Sequence, residues 1–343
     1  MRLYQYVGLR ALIAVGQLVV ITAITFVLSR LSGNPIAMYI EPEMPISAYP
    51  LIEKEYHLTG PLYSQYFYYL GRIFSGNLGI SRSTGLPVTK TIEMLFPWTL
   101  ELAVGALLLS FLVGVPVGIY SAWKKSSIFD SASNVFASFG TAIPQLVIGL
   151  LLIILLYFIP VTHGLPGLPS SGGVSAEIAR NYPLHSITGI PLLDSLLTGN
   201  YQYFSSSFAH IIMPVITLSL FPMGFIINTV RSHTSEILNE DFVLYLRSAG
   251  LSARRILFRH ILKHNLVYLI TIAALLLSTL IGGTVVVETI FGWPGLGLWA
   301  AQSIYSLDVA GILGFTIVVS LAFIIANLCA DIVYPLVDPR IRS

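Results

Sequence analysis

His260 and His264 stand four residues apart and would share one face of a helix, a spacing at which two imidazoles can hold one metal ion. Arg259 and Lys263 sit beside them and oppose a further cation, so a metal site is not expected there. Carboxylates able to relay protons are scarce. Glu101, Glu288, Asp308 and Asp331 all fall at the ends of long apolar runs, where they are expected to reach water. No G-x-x-x-x-G-K-[ST] phosphate loop occurs, nor any Gly-Lys dipeptide, so the chain lacks the usual backbone cradle for ATP. There is no H-E-x-x-H, and the apolar runs supply neither a Ser–His nor a paired-Asp site for an intramembrane protease. The one cysteine, Cys329, excludes an intrachain disulfide and any zinc site needing two thiolates. These residues predict a chain that is not an enzyme and binds no metal or cofactor of its own.

The elements that would position any chemistry are set by composition. Of 343 residues 55% are hydrophobic and 10% charged, against about 25% charged in a soluble domain, and the mean hydropathy is +0.81. A water-soluble globular protein is excluded. The balance of 18 Lys+Arg against 16 Asp+Glu gives no basic face for nucleic acid. Six runs lack any charged residue or histidine: 11–29, 102–123, 131–162, 211–230, 265–287 and 309–330. About 20 apolar residues cross the hydrocarbon core, so the expectation is an all-α polytopic protein with six transmembrane helices. Asn134, Pro144 and Pro160 predict that the third span, placed at 135–160, starts late, is bent, or continues into a loop. A seventh uncharged run, 289–307, holds Gly292, Pro294, Gly295 and Gly297; it is expected to be a short protein-buried or interfacial segment.

Twelve of the 18 basic residues fall on one face of a six-span arrangement: Arg2, Arg10, Lys124, Lys125, Arg231, Arg247, Arg254, Arg255, Arg259, Lys263, Arg340 and Arg342. The positive-inside bias places that face, with both termini, in the cytoplasm of a cell (inner) membrane protein. Arg2 and Arg10 precede an apolar run too long for a signal h-region, and no Ala-x-Ala site precedes Arg30, so residues 1–30 are expected to be a short inner segment and an uncleaved first span. Residues 31–97 would form an outer segment, with Tyr63, Tyr66, Phe67, Tyr68, Leu70 and Phe74 on an interfacial or lid-like helix. Residues 98–343 would form the core. The Gly-, Pro- and Ser-rich 163–209 reads as an irregular outer loop that could meet an external partner.

The inner loop 231–264 carries the strongest local pattern. Phe242, Tyr245, Leu246 and Ala249 follow i, i+3, i+4, i+7 on a short helix, Gly250 suits a positive-φ end, and Ser252 can cap a second helix through Arg254 and Arg255. A helix this short is marginal alone. Its apolar face either folds back on neighbouring helix ends or docks into a cytoplasmic protein.

Several motifs, in order along the chain, resemble one family. Ser75-Gly76-Asn77-Leu78-Gly79-Ile80-Ser81 is similar to G-D-L-G-x-S, with Asn for Asp; Pro97-Trp98-Thr99-Leu100-Glu101-Leu102 to P-x-T-L-x-L; and His210-Ile211-Ile212-Met213-Pro214 to the family's entry to the fourth span. Glu288-Thr289-Ile290-Phe291-Gly292-Trp293-Pro294-Gly295-Leu296-Gly297 is close to E-x-x-F-x-W-P-G-L-G, and Asp338-Pro339-Arg340-Ile341-Arg342 is a familiar end. Together these resemble the membrane permease subunits of binding-protein-dependent ABC importers, in particular the B subunit of the dipeptide, oligopeptide and nickel group.

The resemblance implies the type I importer permease fold and, as partners, a second homologous permease, two ATPase subunits holding ATP and Mg, and an extracytoplasmic substrate-binding protein, besides membrane lipid. It also implies that the loop meeting the ATPase comprises Asp241, Tyr245, Leu246, Arg247, Ser248, Ala249, Gly250, Leu251 and Ser252, with Arg254 and Arg255 beyond it. That loop departs from the family's EAA pattern: Leu244-Tyr245-Leu246 stands for Glu-Ala-Ala, Ala249 for a common Lys, and Tyr268 where a Pro is often found. Glu288, Phe291, Trp293, Pro294, Gly295 and Gly297 are the signature near the outer face. The nearly uncharged spans suit a zwitterionic peptide or a neutral oligosaccharide; a nickel chelate is the third cargo of the group. A gradient-driven secondary transporter, a membrane enzyme and a scaffold are the competing classes.

Overall fold

The computed structural model describes residues 3–31, 36, 44–55 and 57–337. The motif at 338–342 and the basic residues Arg2, Arg340 and Arg342 lie outside the described residues, as does the side chain of Asp331. The fold is almost wholly helical. Helices α1 (Leu3–Leu31), α2 (Tyr49–Glu55) and α3 (Leu62–Phe74) precede α4 (Val88–Trp123) and α5 (Ile128–Ala142). Next come α6 (Gln145–Ile153), a π-helical turn (Ile154–Phe158) and α7 (Ile159–Thr162), one continuous rod. The short α8 (Ala176–Asn181) and α9 (Pro191–Leu197) lead into α10 (Tyr201–Ile237), followed by α11 (Asp241–Ser248) and α12 (Ala253–Arg255). A second π turn (Ile256–Ile261) joins α12 to α13 (Leu262–Ile290), and α14 (Leu296–Tyr305) and α15 (Val309–Val337) complete the chain.

Among the described residues, five segments are long and apolar enough to cross a membrane: Val88–Trp123, Gln145–Thr162, Tyr201–Ile237, Tyr268–Ile290 and Val309–Cys329. A sixth apolar stretch, Leu12–Val27, lies within the 29-residue α1. The run 289–307 holds the end of α13, a turn and the short α14, with Trp293 in the turn and Leu296 and Trp299 on the helix buried.

Two expectations about these segments need correction. The span foreseen at 135–160 is two helices, because Pro144 cannot give an N–H to the turn before it and the chain breaks at Ile143–Pro144. Only the rod Gln145–Thr162 has the length and hydropathy of a span in that region. Within it Pro160 has no N–H for the Leu156 carbonyl; the N–H of Leu168, from the loop beyond, donates to that oxygen at 2.9 Å. The segment 163–209 is not irregular throughout. It holds α8 and α9, and α10 starts at Tyr201, ten residues before the uncharged run, with Asn200 Oδ1 accepting from the Tyr203 N–H. Asp194 organises the turn ahead of α9 by accepting from the N–H groups of Ile187, Thr188 and Gly189 and the hydroxyls of Ser186 and Thr188. Burial pushes that carboxyl up, but those donors outweigh it and hold it below the usual range.

Helix α3 lies against α1 on its aromatic side. Tyr66 meets Phe26 edge-on at 5.4 Å, and its hydroxyl lies 3.1 Å from Thr22 Oγ1. Tyr63, Phe67 and Phe74 stay exposed. The main core pairs α4 with α10, and α5 packs on α10 and, more lightly, on α4. Small residues set that second contact: a Cβ on Gly140 would stand 2.6 Å from the Leu220 carbonyl oxygen, and one on Gly224 would overlap the Ala137 carbonyl. Backbone thus meets backbone with no side chain between.

Gly224→Leu should therefore force α5 from α10 at about 1–3 kcal/mol, as overpacking does, and lower the thermal midpoint of the detergent-solubilised chain. Gly283→Ala, where a Cβ meets nothing within 4 Å, should leave the midpoint in place. Equal midpoints for the two variants would overturn the contact.

Candidate functional site

Two polar clusters mark the two ends of the bundle. They stand about 22 residues apart along α4, roughly 33 Å at the rise of a helix.

At the first, the turn from α13 to α14 closes on Glu288. Its Oε2 accepts from the N–H of Gly297 at 2.6 Å and of Leu298 at 3.0 Å; its Oε1 accepts from Thr99 Oγ1 at 2.8 Å. Thr99 Oγ1 in turn accepts from the Leu296 N–H at 2.8 Å. Three of the four N–H groups that a helix start leaves unpaired are thus met by two side chains from α4 and α13. Glu288 is wholly buried. The expectation that Glu101, Glu288 and Asp308 reach water fails: each is buried and accepts from a neighbouring segment, Glu101 through Oε1 alone, its buried Oε2 having no partner among the described residues. Glu101 Oε1 accepts from the Leu192 N–H at 2.8 Å. Asp308 accepts from the Gly311 N–H at 2.8 Å, the Ser83 N–H at 3.0 Å and the Ser81 hydroxyl. Burial pushes the Asp308 carboxyl up, and these donors more than reverse it.

The remaining signature residues close the same turn. Gly292 takes φ +54°, and Phe291 accepts from the Gly172 N–H at 2.8 Å. The Trp293 indole N–H donates to the Trp98 carbonyl at 3.0 Å, with the two rings edge-to-face at 5.4 Å. Pro294 is half-buried beside them. A Cβ on Gly295 would stand 2.5 Å from Glu288 Oε2, and one on Gly297 2.6 Å from Val285 Cα. The spacing from Glu288 to Gly297 thus closes a carboxyl onto a helix start.

At the other end α10, α11 and α13 form an elbow. Gly250 has φ +75° and its N–H donates to Arg247 at 3.0 Å. Ser252 occupies the cap position of α12 without a side-chain bond, so the expected cap is absent. The packed face also differs from the periodic one. Val243 is fully buried, and Phe242, Leu246 and Leu251 pack with it on Ile237, Ile256 and Ile261. Tyr245 is 72% exposed and Leu244 64%. Asp241, Arg247, Ser248, Ala249, Gly250, Ser252, Arg254 and Arg255 are exposed as well. The guanidinium of Arg247 stands 4.8 Å over the ring of Trp123, at the end of α4. Beside it an open hollow of about 500 Å³ is lined by Trp123, Lys124, Arg247, Leu251, Ala253 and Ile256.

Sequence reasoning missed the polar junction behind this elbow. Asp130 Oδ1 accepts from Arg231 Nε at 2.6 Å and Oδ2 from Nη2 at 2.9 Å. The same carboxylate receives Ser121 Oγ at 2.6 Å and the Ser126 N–H at 2.9 Å. The Arg231 hydrogen bonds, aided by those donors, hold the Asp130 carboxyl well below the usual range despite its burial. The signal was present: Asp130 immediately precedes one uncharged run, Arg231 immediately follows another, and six spans put both on one face. Asn265, buried on α13, donates from Nδ2 to Thr234 Oγ1 at 3.1 Å, and its Oδ1 lies 2.9 Å from His233 Nδ1.

The family model described as "Binding-protein-dependent transport system inner membrane component" matches residues 114–343. The chain belongs to that family. Among its relatives it is 37% identical to the probable D,D-dipeptide transport system permease protein DdpB of Escherichia coli (strain K12), over 94% of this chain and 92% of that protein. It is 34% identical to the dipeptide transport system permease protein DppB of the same strain, over 94% of each. It is 31% identical to the oligopeptide transport system permease protein AppB of Bacillus subtilis (strain 168), over 98% and 99%. Among solved structures, a chain of the inward-facing MetNI methionine ABC transporter aligns with a TM-score of 0.48 and 17% identity, over 70% of this chain and 93% of that one. This permease is a multi-pass inner-membrane protein of a binding-protein-dependent transport system.

Glu288→Ala orphans the N–H groups of Gly297 and Leu298, at about 1–3 kcal/mol for each buried group. We expect a lower thermal midpoint and new proteolytic cleavage between 291 and 298, whereas Glu288→Gln, which keeps an acceptor, should lose much less. A Glu288→Ala chain as stable and protease-resistant as the wild type would remove this carboxyl as the clamp on α14.

Proposed function

We propose that this permease forms the translocation path of an ATP-driven importer of di- and oligopeptides, together with a second homologous permease. In this reading two ATPase subunits carry ATP and Mg on the cytoplasmic side, an extracytoplasmic substrate-binding protein delivers the cargo, and the α11 end and both termini face the cytoplasm. The observation that carries the cargo class is end-to-end similarity, at 31–37% identity, to relatives named for peptide transport. The weight of basic residues at the α11 end supports the orientation.

The ATPase contact falls to the elbow, where the two readings of its apolar residues combine. Val243, Phe242 and Leu246 fasten α11 to the bundle, and Leu244, Tyr245, Arg247, Ser248, Ala249 and Gly250 are left facing outward. An element fixed on one side and free on the other can be pushed by a partner and pass the displacement on. Moving a two-state equilibrium from 1:99 to 99:1 takes about 5.5 kcal/mol of differential binding, which a loose loop would dissipate. The Glu288 signature, at the far end, serves to hold α14 against α4 and α13. The substrate-binding protein would meet the outer segments 31–97 and 163–209.

Reconstitution in proteoliposomes with the second permease, the ATPases and the receptor tests the reading. Labelled dipeptide should enter only with ATP and loaded receptor. Uptake driven by an ion gradient without ATP would overturn the machinery, and uptake of an oligosaccharide or nickel chelate in place of peptide would overturn the cargo. In the same system Gly250→Asp should insert normally but lower peptide uptake per ATP by about tenfold or more. A side chain at φ +75° strains the turn by about 1–2 kcal/mol and projects where nothing lies within 4 Å. Wild-type uptake by that variant would remove the elbow as the docking element.

A further inference from the structure

Asp130 is buried where α4 ends and α5 begins, against the last turns of α10. Ser121 lies on the last turn of α4, Ser126 in the turn that follows, Asp130 on the first turn of α5, and Arg231 on α10, six residues before its end. Five donors converge on the one carboxylate: Ser121 Oγ, the Ser126 N–H, Asn134 Nδ2, and Nε and Nη2 of Arg231. Ser126 has φ +66°, a left-handed conformation that a non-glycine residue adopts only where its surroundings enforce it. In that conformation its N–H donates to Asp130, while the Ser127 N–H closes the turn on the Lys124 carbonyl. The fork is bidentate, which fixes orientation as well as distance.

The elbow enters this junction by two routes. Its α11 follows α10 after three residues, and Arg247 on α11 stacks on Trp123, two residues beyond Ser121. Further along, α5 and α10 touch again, backbone to backbone, at Gly140 and Gly224. Two attachments, a polar one at the helix ends and a close-packed one about ten residues on, make α5 and α10 one body, and the chain is next free to bend at Ile143–Pro144. We infer that Asp130 and Arg231 are positioning residues for transport: their fork is the strut through which displacement of the elbow moves α4, α5 and α10 as one lever, with the Ile143–Pro144 break as its hinge. This rests on the importer reading above. It assigns transmission to residues outside the ATPase-facing elbow and outside the signature.

The test uses the full reconstituted importer and reads peptide imported per ATP hydrolysed. Arg231→Lys keeps the charge and loses the fork. We expect the assembled complex to go on hydrolysing ATP while import per ATP falls at least threefold, whereas loss of fold alone would lower both together. A second variant, Asp130→Cys with Arg231→Cys in a Cys329→Ser background, should be similarly uncoupled when reduced and regain most of the Cys329→Ser ratio when its two thiols are joined by a short bis-methanethiosulfonate. An unchanged ratio in Arg231→Lys would overturn the strut, as would a joined pair that blocks import, since the two residues would then have to part during the cycle. If Arg231→Lys does not assemble, the joined pair decides alone. Absence of ATP-driven import in the unmodified complex would instead overturn the importer reading, so the two failures are told apart.

Discussion

The start of a helix offers N–H groups that nothing within the helix can accept, and inside a hydrocarbon layer no water is at hand to take them. Helix α14 begins buried among the other helices, and Glu288 with Thr99 supplies its acceptors. Much of the geometry at this end follows. For the carboxyl to reach Gly297 and Leu298, the chain after α13 must turn back at once, and Gly292 at φ +54° makes the turn. Positions 295 and 297 must lack a Cβ, because Glu288 and the α13 backbone fill that space. Thr99 serves both sides, its hydroxyl donating to Glu288 and accepting from the Leu296 N–H, so α4 is bound into the same knot. Asp308 repeats the device on a smaller scale at the start of α15, where it also draws in the Ser81–Ser83 turn.

That use of carboxyl groups explains what hydropathy could and could not reveal. The transmembrane helices were legible because a charge costs too much in their middle. The same rule suggested that span-end carboxyls are solvated, and there it misled. A rule about cost says where an unpaired charge will not stand; it is silent about a carboxyl whose oxygens are already matched with donors, and those donors come from residues 9, 10 and 189 positions away in the case of Glu288. The segment 163–209 misled for a related reason. Its glycines, prolines and serines signal turns, yet one buried carboxyl, Asp194, gathers five donors and orders the approach to α9.

The elbow shows the limit of periodicity in a short helix. Eight residues make little more than two turns, and a stripe at i, i+3, i+4 can be drawn through Tyr245 as easily as through Val243. Gly250 was legible, since a left-handed residue after a helical stretch has one cheap occupant. Which stripe packs was decided by geometry the sequence does not carry locally, namely where Ile237 on α10 and Ile256 and Ile261 in the following π turn come to rest. The Asp130–Arg231 fork joins residues 101 apart, and only the arrangement of spans brings them to the same end.

The close contacts in the bundle decide what kind of motion it can support. Where side chains interdigitate, helices can slide by exchanging rotamers, at small cost per step. At Gly140 and Gly224 there is no side chain to exchange: carbonyl groups of one helix lie against the Cα of the other, and sliding would drive backbone into backbone. Packed interfaces of this kind hold or separate but do not deform smoothly. Displacement must then appear where the ladder of backbone bonds is already interrupted, and α5 supplies such a place at Ile143–Pro144, just past its last glycine contact. The π turn ahead of Pro160 is a second interruption, but there the Leu168 N–H ties the freed carbonyl of Leu156 to the following loop. The two breaks in one hydrophobic stretch therefore differ in kind. One is an unbraced joint between two helices, and the other is a wide turn stitched shut, so bending in this part of the chain concentrates at the first.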